Sequence, residues 1–562
     1  MNKKWESYKV DESLIMPLAE KHNISPLLAR ILVNRDIVED DRIEKFLHPR
    51  LDDLNDPFMF NDMDKAVDKI INSIEAGDKI TIYGDYDVDG ITSTTILYKF
   101  LDEINAKVDY YLPNRIQEGY GLNNEAIDAI AERGTKLLIT VDCGISGHDE
   151  VEYAKSKGLE VIVTDHHECP EKLPDCVAVI DAKRPDSTYP FNSLAGCGVA
   201  FKVVQALCKK LNKQDEDYLK YLDIACLGTV ADIVPLVDEN RVIVKYGLKA
   251  MAKTENYGLR ALISSSMIKG IDSTSISFGL APRINASGRM GNAELALKML
   301  LTDNMKEAMD IANSLNEMNR ERQEIERGIF NEVQEIISKE KLAENKIIVV
   351  GKENWHHGVI GIVSSKITEN YYKPSILISL EDDECKGSGR SVDGFDLHAA
   401  LTACQADLQK FGGHEMAIGL TLKRSQYDDF RNSITKYVED KLPDEIIPTI
   451  KYDAEITHKD ITVQTIQELK LLEPYGESNP APLFAYKNVK VDSIRTLSND
   501  KHLKLNVKED HRIFSAIAFN MGEKKNTIRM GEKADILCAL EINSYNGIEM
   551  IQLNIKDIKK SI

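Results

Sequence analysis

The chain has 562 residues, 43% hydrophobic and 29% charged, which is the composition of an ordinary globular protein long enough for more than one domain. Its 91 acidic against 71 basic residues give a formal charge of −20. That excludes a protein coating nucleic acid through a broad basic surface, but not one admitting a strand into a local basic channel. No apolar run reaches the roughly eighteen residues of a membrane span. The start, Met1-Asn2-Lys3-Lys4-Trp5-Glu6, has no apolar core of the kind a secretory signal carries. Nine cysteines without a C-x-x-C pair suit a reducing, cytoplasmic setting.

Residues 1–55 read as a helical extension, with a turn at Leu47-His48-Pro49-Arg50. From Lys79 the pattern alternates: strand Lys79–Tyr83, an Asp-rich turn, helix Ile91–Leu101, strand Lys107–Tyr111, helix Asn124–Arg133, strand Leu137–Val141, helix Glu150–Lys157, strand Val161–Thr164. The apolar run Val177–Ile180 follows, and Phe201 to Leu236 turns helical. Such alternation predicts an α/β domain, a parallel sheet with helices on both faces, over residues 56–303. Residues 304–340 lack proline and space Met309, Ala312, Leu315 and Met318 by threes, as one connecting helix would; two shorter helices are the alternative. A second, smaller α/β unit occupies 341–441, and Leu442-Pro443-Asp444-Glu445-Ile446-Ile447-Pro448 reads as a linker. Beyond it, Leu483–Val491, His502–Val507, Arg512–Phe519, Ala534–Ile542 and Met550–Ile555 predict a five-stranded barrel of OB type over 450–562.

The chemistry collects where these strands end. Asp85, Asp87 and Asp89 follow the first, Asp142-Cys143-Gly144 the third, and Asp165-His166-His167 the fourth; Asp232 lies in a helical stretch. Ligands bind at the carboxyl ends of strands in such sheets, which gives the clusters more weight than lone turn residues. In extended backbone Asp87 and Asp89 would share a face. Hard oxygen donors favour Mg²⁺ or Mn²⁺, and an imidazole tilts the choice toward Mn²⁺. A calcium loop is excluded, because its twelfth position needs a bidentate Glu and Ile96 stands there. Asp87, Asp89, Asp142, His166 and Asp232 suffice for two ions about 3.5–4 Å apart, which would activate water and neutralise a phosphoryl transition state. The chain therefore reads as a metal-dependent phosphoester hydrolase. For Asp232 a helix cap is the plainer alternative. Arg283, Asn285 and Arg289 in Pro282–Arg289, Ser388 and Arg390 in Gly387–Ser391, and His414 in Phe411–His414 read as loops in which Gly, Arg and His meet phosphate.

Tyr83–Gly90, Val141–Gly144, Thr164–His167, Leu227–Leu236 and Pro282–Arg289 resemble the motifs of the DHH phosphoesterase family. Trp355–Gly361, Gly387–Ser391 and Phe411–His414 resemble the DHHA1 domain that follows in that family, and Leu472–Pro480 the approach to an OB domain. Within the family, the likeness is to the bacterial exonucleases that degrade single-stranded DNA 5′→3′, and it spans nearly the whole chain. It implies metal ligation by Asp87, Asp89, Asp142, His166 and Asp232, with Asp85 in the motif in a less defined role. It also places His167 at the scissile phosphate and Arg115 and Tyr120 at the strand end. Ser388 and Arg390 would take the 5′-phosphate side, with Arg283 or Arg289 near the cut. The implied cofactors are two Mn²⁺ or Mg²⁺ ions. The implied partners are single-stranded DNA, a helicase and a single-strand-binding protein, for a monomer acting in repair and recombination. The chain ends soon after the OB module, without the extra C-terminal domain of some longer relatives. Phe484, Tyr486, Phe514 and Phe519, with Lys501 and Lys504, are its candidates for base stacking. Two rivals stand beside this reading: a phosphodiesterase of short or cyclic dinucleotides, and a single-strand-binding scaffold that has lost catalysis. The second conflicts with the complete set of acids.

Overall fold

Alternate residues of the first strands supply two different cores, and this is what makes the sheet a central layer. Ile80, Ile82, Leu137, Ile139, Val141 and Ile162 face one side with the helices Met63–Ala76, Val88–Glu103 and Gly196–Lys210. Tyr83, Leu138, Val161 and Val163 face the other with Asn124–Glu132 and His148–Ser156. The period-2 alternation of strand side chains thus needs apolar residues at nearly every position, with Thr81 and Thr140 among the buried polar exceptions, so the strands read as largely apolar runs. The computed structural model describes residues 3–115, 117–381, 383–443, 446–545 and 548–561. Met1 and Asn2, Ile116, and Asp444 and Glu445 of the expected linker lie outside the described residues.

The five strands are all parallel, in the order Lys107–Tyr111, Lys79–Tyr83, Leu137–Val141, Glu160–Thr164, Ala178–Ile180. The order in which successive strands are added reverses between Lys79–Tyr83 and Leu137–Val141, so a crevice is expected beyond their carboxyl ends. Val88–Glu103 is buried on almost every side, including Thr92, Ser93, Thr94 and Thr95. Their hydroxyls each donate to a backbone carbonyl one turn back, from Val88, Asp89, Gly90 and Ile91, at 2.6–2.8 Å. A polar stretch is thereby buried without orphaned groups.

Met305–Glu340 is one uninterrupted helix of 36 residues, about 54 Å long at the usual rise. Asn304 caps it, accepting from the Lys306 and Glu307 amides. Its first half buries Ala308, Ile311, Ala312 and Leu315 against the first domain, and its second half buries Ile329, Val333 and Ile337 against the next. Between them lies a buried polar step, where Arg322 donates to Glu326 at 2.5 Å and to Asn319 at 3.0 Å.

The second sheet is mixed, in the order Lys410–His414, Ala417–Lys423, Glu384–Arg390, Ser375–Leu380, Ile348–Glu353. Gly387–Arg390 and Phe411–His414 therefore lie in strands, not in the loops their glycines suggest. At Gly387 a Cβ would sit 2.8 Å from Leu420, so the missing side chain makes room for core packing. Pro282–Arg289 is also no loop: Ala281–Arg289 is a helix continuing a π-helical turn at Ile276–Leu280, and Pro282 stands where the one passes into the other.

The C-terminal strands Phe484–Leu497, His502–Glu509, Arg512–Ala518, Lys533–Tyr545 and Ile548–Lys560 close into a barrel through pairing of the first with the fourth. Phe484, Tyr486 and Phe514 are buried inside it; of the four expected stacking aromatics only Phe519 is exposed. The N-terminal extension packs on this barrel. Leu28, Ile31, Leu32, Ile43 and Phe46 share one core with Phe484, Leu503, Val507 and Ile536. Lys4–Ser7, a strand the sequence did not announce, pairs in parallel with Thr449–Tyr452. Among the described residues no helix is long and apolar enough to cross a membrane.

Candidate metal and phosphate site

The crevice at the sheet's reversal gathers the acids. Asp87 caps Val88–Glu103, its Oδ1 accepting from the Asp89 amide at 2.9 Å and the Gly90 amide at 3.1 Å. Helix starts so early that Asp87 and Asp89 do not share an extended face as the sequence suggested; Asp89 already lies in the first turn. Both Asp89 oxygens accept from the start of Gly196–Lys210, from Gly196 N at 2.6 Å and Cys197 N at 2.8 Å. A helix N-terminus favours a carboxylate there. Gly196 is needed because a Cβ would lie 2.7 Å from Asp142 Cβ.

Asp142 sits at φ 61° at the end of its strand, and its Oδ1 is 3.0 Å from His166 Nε2. Asp89 and Asp232 each stand 3.7 Å from the same nitrogen. Asp232 ends the helix Leu222–Ala231, so it is at the wrong terminus for the N-cap alternative. Donor atoms fall into three sets, each within 4.8 Å of one another: Asp85, Asp87, Asp142; Asp89, His166, Asp232; and Asp142, His166, His167.

Electrostatics report an incomplete charge balance. Burial, then the charge of Asp87, pushes the Asp85 carboxyl well above the usual range, and its Oδ1 is buried without a partner. Burial, then Asp89 and Asp87, raises Asp142; the same causes bring Asp232 up to about 9. Burial pushes His166 down, toward the neutral form a metal ligand needs. Crowded carboxylates, an orphaned acid oxygen and a neutral imidazole fit hard divalent ions such as Mn²⁺ or Mg²⁺.

Asp165, absent from the expected ligands, organises the site. It is fully buried and accepts from the amides of Ile145 at 2.9 Å and His166 at 2.8 Å, and from His167 Nδ1 at 2.7 Å. Burial opposes its ionisation, but the His167 hydrogen bond and charge outweigh it and hold the carboxyl below its usual range. Burial likewise opposes protonation of His167, and Asp165 outweighs it. Nothing in the local sequence separates this Asp from a turn residue. Tyr120 hydroxyl is 3.2 Å from His167 Nδ1 and 3.4 Å from the Asp142 carbonyl.

Of the expected phosphate-binding residues, Arg115, Arg289, Ser388 and Arg390 converge. Arg115 stacks over Tyr86 at 5.0 Å. Arg289 donates to the Gly358 carbonyl at 2.9 Å, and Arg390 to Ser388 Oγ at 3.1 Å. Burial, and then Arg115, Arg322 and Arg390, brings Arg289 down to about 10. Arg322, from the connecting helix, is a member the sequence reading missed. Asn285 stands one turn before Arg289 on the same helix face. Arg283 does not join them: it is bonded to the Gly279 carbonyl and Asn316. His414 is exposed on an edge strand, in register through Ala417 with Arg390.

Asp181, beyond the fifth strand, gives a test of this electrostatic description. It is buried, its Oδ2 lacks a partner, and burial raises it to about 7. A carboxyl raised in the fold favours folding below its unfolded pKa, and that contribution is lost as pH rises through 7. Asp181→Asn should therefore match wild type near pH 4 and exceed it by about 2–4 kcal/mol at pH 8, measured by denaturant unfolding across that range.

A parallel sheet with acids and histidines at its reversal, and beside them a cluster of arginines drawn from both domains, defines a phosphoesterase of the DHH type. The profile described as "DHH family, N-terminal domain" matches residues 79–229, the DHHA1 domain 344–440 and the RecJ OB domain 452–557. The single-stranded-DNA-specific exonuclease RecJ of Bacillus subtilis is 39% identical over 99% of this chain and 70% of its own length. That of Escherichia coli K12 is 32% identical over 98% of both. Thermus thermophilus RecJ, solved in complex with Mn²⁺, superposes with a TM-score of 0.87 at 28% identity, covering 100% of this chain and 80% of that one. The same protein has been solved in complex with Mg²⁺. The chain belongs to the RecJ family.

Proposed function

We propose that the chain is an exonuclease specific for single-stranded DNA, hydrolysing phosphodiesters 5′→3′ to 5′-mononucleotides in DNA repair and recombination. The observation that carries this is a complete acid and histidine cluster in a chain matched end to end by RecJ proteins. In this reading Asp85, Asp87 and Asp142 would hold one divalent ion, Mn²⁺ or Mg²⁺, and Asp89, His166 and Asp232 the other. Bound there, the ions would supply an activated water and neutralise developing charge on the phosphoryl group.

The chain's own residues do the rest. Asp165 takes the Nδ1 side of His167 and favours its charged form, leaving Nε2 to donate to an oxygen of the scissile phosphate. Tyr120 braces the same ring from the exposed side. Arg390, Ser388, Arg289 and Arg115 form a cationic wall for the terminal 5′-phosphate, which reconciles a chain of net charge −20 with an anionic polymer. Asn285 extends that wall along its helix, while Arg283 and His414 would serve only strand segments outside it. Nine free thiols suit a cytoplasmic setting. A helicase that opens duplex and a single-strand-binding protein that presents the strand complete the reading, with the enzyme acting as a monomer.

The test is degradation of long single-stranded DNA labelled at either end, with Mn²⁺ or Mg²⁺, beside a blunt duplex. Release of the 5′ label as mononucleotide from single strands alone is expected. Survival of long strands with cleavage of dinucleotides or cyclic dinucleotides would transfer the assignment to a small-substrate phosphodiesterase. Retention without any cutting would make the protein a scaffold.

A further inference from the structure

Ile233 combines features that its packing does not account for. It is branched at Cβ yet adopts φ 60°, a left-handed conformation that such residues rarely enter. It is 68% exposed, so no burial of its side chain offsets that strain. It also directly follows Asp232, whose Oδ2 is 3.7 Å from His166 Nε2. A helix ending in a left-handed residue ordinarily takes Gly or Asn there. Here a bulky aliphatic group stands in water at the rim of the metal cluster instead.

The backbone that presents it is fixed. Leu236 N donates to the Glu477 carbonyl at 2.9 Å, and Asn240 Nδ2 donates to the Pro235 carbonyl at 3.0 Å. The Leu236 side chain packs against Gly476. Residues 476 and 477 belong to the segment that leads into the barrel. Ile233 thus stands between the metal cluster and that segment, on a rigid support, with its apolar surface unused. In the exonuclease reading, a strand whose 5′ end lies against Arg289, Ser388 and Arg390 would carry its next nucleotide past the metal cluster, beside which Ile233 stands.

We propose that Ile233 is a substrate-contacting residue whose side chain supports the nucleobase on the 3′ side of the scissile phosphate. This rests on the exonuclease reading above. The chemistry suits a polymer of mixed sequence: every base offers an apolar face, and an aliphatic side chain carries no hydrogen-bonding group with which to choose among them. Left-handed strain at a functional rim is also where such cost is usually found.

The experiment compares wild type, Ile233→Ala and Ile233→Gly on single-stranded oligonucleotides with a normal or an abasic second nucleotide. Wild type should show a KM about 3- to 10-fold lower for the normal strand. Both variants should lose most of that preference through KM, with kcat nearly unchanged. Titration with Mn²⁺ followed by electron paramagnetic resonance should give the wild-type affinity. The Gly variant relieves the strain at φ 60° and should melt no lower than wild type, so a folding defect cannot mimic the result. If wild type cuts single strands and both variants keep the base preference, this proposal alone is overturned. Weaker Mn²⁺ binding with the preference intact also overturns it, because the strained turn would then serve Asp232 rather than the strand. Failure of wild type to cut single strands at all would overturn the exonuclease reading together with this one.

Discussion

Asp142→Asn is expected to lose single-strand degradation by on the order of 10³-fold or more while its metal-free form melts above wild type. The backbone tolerates the change, since Asp142 occupies φ 61° and Asn enters that region readily. What changes is charge. Asp142 belongs to two of the three donor sets, with Asp85 and Asp87 in one and with His166 and His167 in the other, so its loss removes a donor from the first and a neighbour from the histidines. In the metal-free protein the same carboxylate is a liability, raised by burial and then by Asp89, Asp87, Asp85 and Asp232. A carboxyl raised in the fold contributes stability that is complete below its unfolded pKa and lost as pH rises through the folded value. With Asp232 brought up to about 9, metal-free wild type should lose stability progressively from about pH 4 to 9, and the Asn variant less steeply. Saturating Mn²⁺ reverses the order. A ligand at 100 times its dissociation constant adds about 2.7 kcal/mol to the wild type, and the variant should gain far less. Melting curves at pH 5, 7 and 9 with and without Mn²⁺ check both halves. A variant that melts no higher than wild type without metal would refute the charge-crowding account; one stabilised equally by Mn²⁺ would remove Asp142 from the ligand set.

Which parts of this site could be read in advance follows from how local their signals are. The strands Lys79–Tyr83, Leu137–Val141 and Glu160–Thr164 are legible because burial on both faces leaves largely apolar runs, and acids just beyond them stand out. The length of Met305–Glu340 is legible from spacing and the lack of proline. Asp165 is illegible in its role, because an Asp after a strand looks the same whether it caps a turn or holds a histidine. Pro282–Arg289 reads as a loop because Pro, Asn, Ser and Gly are poor helix formers; tertiary packing overrides them, with Gly288 close against the Tyr86 carbonyl. Gly387 and Gly389 mislead in the opposite sense, as strand positions emptied for Leu420 and Ile418. Phe484 and Tyr486 share one face of their strand, and the sequence does not say whether that face points into the barrel or out. The docking of the N-terminal extension on the barrel is the least legible feature. An amphipathic helix announces that it has an apolar face, never which of several apolar surfaces hundreds of residues away will cover it.

Beside the shared core, that docking is tied by one buried side chain whose replacement should be among the most damaging structural changes in the molecule. Arg241 is 1% exposed, and its guanidinium is spent entirely on backbone carbonyls. Nε donates to Phe46 at 2.7 Å, Nη1 to Leu472 at 2.9 Å, and Nη2 to Leu471 at 2.8 Å and Glu473 at 2.9 Å. The plane also lies 4.1 Å from the Phe46 ring. One residue of the first domain thus ties the N-terminal extension to the segment that leads into the barrel. Burial, and then Arg35, brings its pKa down to about 9, the direction expected of a cation held away from water. The arrangement suits arginine alone, because five N–H groups in a rigid plane reach carbonyls that a single ammonium cannot span. Arg241→Met should leave these carbonyls without donors and cost about 4 kcal/mol or more, lowering the first thermal transition by about 8 °C. Arg241→Lys should recover less than half of that. Limited proteolysis should find new cuts near residues 47–55 and 470–480 in both variants. Single-strand cleavage by the protein that remains folded should continue below that transition, since the metal cluster draws on none of these bonds. Loss of cleavage at temperatures where both variants are still folded would show instead that the junction and the cluster form one cooperative unit.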